Sequence, residues 1–93
     1  MLHIISSPNL ETAVLQRMDA GDSVLFIANA VFNLTKKNPA LDQLIKNCKV
    51  YALQEDILVR GLNKDHLLQE LETIDYSGFV RLVETNEWNH SWS

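Results

Sequence analysis

Cys48 is the only thiol in the chain, so thiol nucleophilic chemistry would have to use it. It stands where a helical pattern ends and an apolar strand-like run begins. A helix N-terminus lowers a thiol pKa, whereas a C-terminus acts in the opposite sense. Lys46 and Lys49 offset that only in part. Cys48 therefore reads as a small buried or half-buried apolar residue, and no catalytic residue is expected in this chain. The three histidines, His3, His66 and His90, are scattered. His3 falls in the first apolar run, where a hydrogen-bonded core or sheet-end histidine is the simplest reading, and His66 and His90 read as surface residues. No His-x-x-x-His spacing is present, and one cysteine cannot build a Cys-type zinc site or an internal disulfide. No metal site is expected.

Asp22, Asp56 and Asp75 lie near expected strand ends. Ligands in open α/β sheets bind outside the carboxyl ends of strands, so Asp56 and Asp75, which follow strands, can line such a crevice. Asp22 precedes its strand and belongs to the opposite end. Helix capping and turn formation are the alternative roles for all three. The only glycines, Gly21, Gly61 and Gly78, are too widely separated for a dinucleotide fingerprint or a P-loop. No cofactor is expected.

The elements that must hold these residues follow from periodicity. Leu2 to Ile5 is a short apolar run ended by Ser6-Ser7-Pro8, a first buried strand. Asn9 suits a helix cap, and Leu10, Val14, Leu15 and Met18 predict an amphipathic helix of about three turns, stopped at Gly21. Ser23 to Ala28 is continuously apolar, as expected of a parallel strand covered on both faces. A short helix or turn follows at 29–32. Asn38-Pro39 then starts a helix with Leu41, Leu44, Ile45 and Cys48 on one face. Lys49 to Leu53 is the third strand; Gln54-Glu55-Asp56 then opens a brief helix, Ile57 to Arg60, closed by Gly61, with Asp56 and Arg60 spaced to pair. Asn63 to Leu71 reads as helical with Leu67, Leu68 and Leu71 inward, Glu72 to Asp75 as a fourth strand, and Ser77 as the cap of a last helix. In the tail, Trp88, His90 and Trp92 alternate onto one side of a fifth, edge strand. The whole predicts an α/β fold: a small, open, mostly parallel sheet of four to five strands with helices on both faces, over residues 1–93 as a single domain.

A domain of 93 residues buries only about two-thirds of the surface its unfolded chain exposes, and oligomerisation is a usual remedy. Large aromatics outside the main periodic pattern often anchor interfaces. Phe32, Trp88 and Trp92 are therefore the expected partner contacts, unless the tail folds back on its own domain. A net charge of −4 argues against a nucleic-acid face, because neutralising phosphates takes clustered Lys and Arg. No apolar run reaches a membrane span. Met1 to Ile5 lacks the basic start and cleavage site of a secretory leader, and a lone cysteine fits a reducing, cytoplasmic setting.

Several of these residues, taken in order, resemble the DsrH/TusB family. They are Met1-Leu2-His3, Ser7-Pro8 and Gly21-Asp22 before the strand near Ala30-Val31, then Val50-Tyr51-Ala52-Leu53 with Glu55-Asp56 and Arg60-Gly61-Leu62. Ile74-Asp75-Tyr76, Phe79-Val80, Leu82 and the terminal Trp92 complete the series. The likeness runs over nearly the whole chain, and its most specific piece is the Asp-x-x-x-Arg-Gly signature at Asp56 to Gly61. The resemblance implies a DsrE-like fold, a compact relative of flavodoxin-like sheets. It also implies assembly with TusC-like and TusD-like paralogous subunits in a heterohexamer with two copies of each. Such a complex takes persulfide sulfur from a small carrier and relays it toward the enzyme that 2-thiolates the tRNA wobble uridine. In that family the transferring cysteine belongs to the TusD-like subunit.

No catalytic cysteine carries over to this chain. DsrH-type relatives from sulfur oxidisers can hold one in the first helix, where this chain has Ala13. That departure favours the tRNA-thiolation branch over a sulfur-oxidation complex. The competing readings are a sulfur carrier that uses Cys48 and a flavodoxin-like ligand-binding domain with a crevice near Asp56 and Asp75.

Overall fold

The computed structural model of the protein describes residues 1–9, 12–36, 38–67 and 70–92, with Thr12 and Lys64 described by backbone alone. Five strands, β1 (Leu2–Ile5), β2 (Ser23–Phe26), β3 (Lys49–Leu53), β4 (Glu72–Ile74) and β5 (Asn89–Trp92), form one sheet in the order β4-β3-β2-β1-β5. Every neighbouring pair is parallel. The expected tail strand is present and takes the edge beside β1.

In-register parallel neighbours point to the same side. One side carries Ile5, Val24, Phe26, Val50 and Ala52. These pack with Leu15, Ala30, Val31, Leu34, Leu41, Leu44, Ile57 and Leu67 into the main core. The helices that bring all of those but Leu67 are α1 (Thr12–Leu15), α2 (Pro39–Asn47) and α3 (Gln54–Val59), with a 3₁₀ helix at Ala28–Thr35; Leu67 follows a 3₁₀ turn at Lys64–His66. The other side carries Leu2, Leu25 and Leu53, all buried. The chain steps one way from β1 to β4 and then crosses back over the sheet to β5. Right-handed crossovers therefore put α4 (Tyr76–Thr85) on this second side. Its cover is thin: Phe79 and Leu82 are half-buried, and no residue of α4 is fully buried.

Capping chemistry sets several boundaries. Asn38 Oδ1 accepts from the Ala40 amide at 2.9 Å with Pro39 in the first turn, as its spacing predicts. Gly21 and Gly61 take positive φ, at 91° and 72°, after the turns they close.

Other boundaries differ from expectation. The helix expected from Leu10 is helical only over Thr12–Leu15, because Arg17 and Met18 close tight turns onto Val14 and Leu15; Leu10 and Glu11 lie outside the described residues. The strand expected through Ala28 ends at Phe26, and Ala28 enters the 3₁₀ helix. The brief helix opened by Gln54-Glu55-Asp56 runs over Gln54–Val59, with Arg60 as its C-cap. Between Asn63 and Leu71 only Lys64–His66 is helical among the described residues, and Leu68 lies outside them. The fourth strand stops at Ile74 because Asp75, not Ser77, caps α4: its Oδ1 accepts from the Gly78 amide at 2.8 Å.

That assignment is testable by equilibrium urea unfolding. Asp75→Ala should cost about 1 kcal/mol, whereas Ser77→Ala should stay within roughly 0.5 kcal/mol of the parent.

Candidate functional site

Because all strands run the same way, the residues that could do chemistry sort to the two ends of the sheet. At the amino end, His3 of β1 is 3 % exposed, yet both ring nitrogens are partnered. Trp92 Nε1–H donates to His3 Nδ1 at 3.2 Å, so that nitrogen is an acceptor and the ring proton sits on Nε2. His3 Nε2 in turn lies 2.8 Å from Asp22 Oδ2. The Asp19 amide donates to the same carboxylate oxygen, and the Met1 ammonium lies 3.3 Å from the other. Burial alone would push Asp22 up, but the bonds from His3, the Asp19 amide and Met1 outweigh it and hold the carboxyl below its ordinary value. A histidine committed at both nitrogens has no lone pair free for a metal or a substrate proton. No group of three or more metal-ligating side chains occurs among the described residues.

Cys48 sits at the same end, as the cap residue closing α2. It is half-buried, and its Sγ–H donates to the Asp19 carbonyl at 3.3 Å. Burial, and next the negative charge of Asp22, push the thiol above its ordinary value. Cys48 also lines an open cleft of about 650 Å³ between α1 and α2, together with Leu15, Met18, Gln43 and Asn47. Among the described residues, no charged side chain lines that cleft. A persulfide-forming cysteine needs an electropositive setting, and this environment has the opposite sign.

At the carboxyl end, Asp56 and Arg60 pair as their spacing predicts, at 3.4 Å, but the pair does more than decorate a helix. Asp56 Oδ2 accepts from the Ala28 amide at 2.7 Å. Ala28 has φ of 52°, a left-handed conformation costly for a residue with a Cβ. Arg60 Nε donates to Asn29 Oδ1 at 2.8 Å, and its Nη1 to the Asp56 carbonyl at 3.3 Å. The Asp-x-x-x-Arg signature is thus a latch that holds the strained turn after β2. In the same first turn of α3, Glu55 Oε2 accepts from the Tyr76 amide at 3.1 Å and ties the start of α4 to α3. Asp56 and Asp75 are both spent on backbone amides rather than lining a crevice.

The expected interface residues do not gather in one place. Phe32 is exposed on the 3₁₀ helix that follows β2. Trp88 is 67 % exposed just before β5, at the amino end, where its carbonyl accepts from the Leu2 amide. Trp92 is half-buried against the main core, stacked on His3, with the Arg17 guanidinium 5.9 Å from its ring. His66 and His90 are exposed, as expected.

The family model of DsrH like protein matches residues 6–89. The chain belongs to the DsrH family. Among curated DsrH relatives, the protein called TusB of Shigella flexneri is 36 % identical over 99 % of this chain and its own full length. TusB of Buchnera aphidicola is 28 % identical over the same shares. Among solved structures, Tm0979 of Thermotoga maritima superposes with a TM-score of 0.67 and 26 % identity, covering 94 % of this chain and 95 % of that one. MTH1491 of Methanobacterium thermoautotrophicum, a protein of unknown function, gives a TM-score of 0.70 over 98 % and 96 %, but at 16 % identity it bears on fold alone. Of the residues that resemble the family, His3, Asp22 and Trp92 take part in the first network and Asp56 and Arg60 in the second.

The Ala28–Asp56 contact is invisible to local sequence reading, because its partners are 28 residues apart and alanine carries no signal for positive φ. Asp56→Ala should cost about 1–3 kcal/mol in denaturant unfolding, as the amide of Ala28 loses its acceptor. Asp22 has a lowered folded pKa, so its stabilisation is complete above the ordinary carboxylate range and is lost as pH falls through the lowered value. Acid titration of stability should therefore show a low-pH loss that shrinks in Asp22→Asn.

Proposed function

We propose that this chain is a non-catalytic subunit of a sulfur-relay complex. Its partners in this reading are TusC-like and TusD-like paralogous subunits, arranged as a heterohexamer in the cytoplasm. The relay serves 2-thiolation of the tRNA wobble uridine, by way of a small sulfur carrier and the thiolating enzyme, and this subunit makes no direct nucleic-acid contact. Membership of the DsrH family and likeness to the TusB proteins support the complex.

The observation that carries the non-catalytic part is the setting of Cys48. Passing on a persulfide requires a thiolate of the receiving protein to attack the outer sulfur while the donor cysteine leaves as its own thiolate. Both roles favour a stabilised thiolate. Cys48 is instead pushed toward the protonated thiol by burial and by neighbouring aspartates, and its hydrogen is given to a backbone carbonyl. The sulfur then travels through a partner's cysteine. This subunit contributes surface, and Phe32 and Trp88, whose rings are exposed, are the contacts assigned to it. Trp92 supports that surface from within by holding the edge strand to His3.

The test compares two strains. Deleting the gene should remove 2-thiouridine from tRNA, while Cys48→Ser should leave it at the parental level, measured by nucleoside mass spectrometry. If Cys48→Ser abolished thiolation with assembly intact, and a persulfide adduct formed on Cys48 and passed to a partner, the chain would be a sulfur carrier instead.

A further inference from the structure

The carboxyl end of the sheet carries exposed apolar side chains where open α/β folds usually place a ligand crevice. Leu58 and Val59 of α3 are 62 % and 80 % exposed, and Tyr76 at the start of α4 is 63 % exposed. Glu55 lies three and four residues before Leu58 and Val59, so these three share one face of α3. The same Glu55 carboxylate accepts the Tyr76 amide, which brings Tyr76 alongside. On the other flank, Arg60 holds Asn29, and Phe32 follows Asn29 by one turn on the same side of the 3₁₀ helix. Four of the large apolar residues left exposed by the fold therefore collect on three chain segments at one end of the molecule.

The segments are fixed before any partner arrives. The hydrogen bonds Ala28–Asp56, Arg60–Asn29 and Tyr76–Glu55 cross-link them, so docking there orders little additional chain. None of the four side chains lines either of the two described clefts. Its charge is one-sided. Asp56 is neutralised by Arg60, whereas Glu55 and Asp75 form no ion pair among the described residues.

We infer that Leu58, Val59, Tyr76 and Phe32, with the Glu55 and Asp75 carboxylates between and beside them, form the docking surface for one paralogous subunit, which presents an apolar patch flanked by Lys or Arg. This rests on the complex proposed above and adds which face is used and what chemistry meets it. The apolar side chains supply the area removed from water, and the two carboxylates orient the approach.

The experiment co-expresses the chain with both paralogous subunits and measures assembly by size-exclusion chromatography with light scattering, and affinity by titration at rising salt. Val59→Lys places a cation against a basic rim at a position that contributes nothing to the core, and circular dichroism of the variant checks its fold. It should weaken association by about tenfold or more. Glu55→Gln keeps the acceptor for the Tyr76 amide but loses the charge; it should weaken association less and flatten its salt dependence. Assembly of a folded Val59→Lys variant with parental affinity would overturn the docking surface. Parental association that is indifferent to salt and to Glu55→Gln would overturn the basic character of the partner. A parental chain that stays monomeric beside both paralogues would instead overturn the complex itself.

Discussion

Every strand of the sheet runs in the same direction, and most of what distinguishes this molecule follows from that constraint. Parallel strands cannot be joined by tight hairpins, so each must be followed by a return over one face of the sheet. All strand starts then lie at one end and all strand exits at the other. Asp22, Cys48, Met1 and Trp88 are brought to the first end although they are far apart in the chain. The Ala28 turn, α3 and the start of α4 are brought to the second. Neither grouping would exist in a sheet of alternating direction.

The two ends are stabilised by different physics. At the amino end a buried imidazole is satisfied on both sides, by an indole donor and by a carboxylate that also gathers a backbone amide. Leaving either nitrogen of a ring so deeply buried without a partner would cost more than the bonds themselves gain. The same contact clips the edge strand, whose other side chains are exposed, onto β1. At the carboxyl end a carboxylate stabilises a backbone turn that alanine would not adopt alone. Its arginine neighbour then spans to the adjacent 3₁₀ helix. Both networks use polar groups to hold loops in place, and neither leaves a reactive group free.

This arrangement is consistent with the subunit role proposed above. Cys48 lies at the end of the sheet opposite the strand exits, against aspartates that disfavour its thiolate. The domain is small, and α4 covers its side of the sheet with half-buried residues only. Much apolar surface therefore remains outside the core, on α3, α4 and the segment before β5. A chain of this size that leaves Leu58, Val59, Tyr76 and Trp88 exposed has traded burial in its own interior for surface that a partner can cover.

The sequence by itself determined the fold class, a mostly parallel sheet of four to five strands, and the edge position of the tail strand. Continuous apolar runs such as Val24 to Ile27 identify strands covered on both faces, and the Asn38-Pro39 start and the Gly61 stop declare helix ends through local geometry. These are short-range effects, decided within a few residues. It misplaced the cap of α4, because Asp75 and Ser77 are both competent cap residues and only the packed helix shows which one reaches the Gly78 amide. It overextended the first helix for a similar reason, since apolar spacing continues past the point where turns at Arg17 and Met18 close it. Only the tertiary structure decided that Asp56 serves Ala28, that Trp92 serves His3 and that Glu55 serves the Tyr76 amide. Those contacts join residues from 21 to 89 positions apart. Periodicity and propensity report on neighbours along the chain, whereas these pairings exist only once parallel crossovers have stacked the strand ends together.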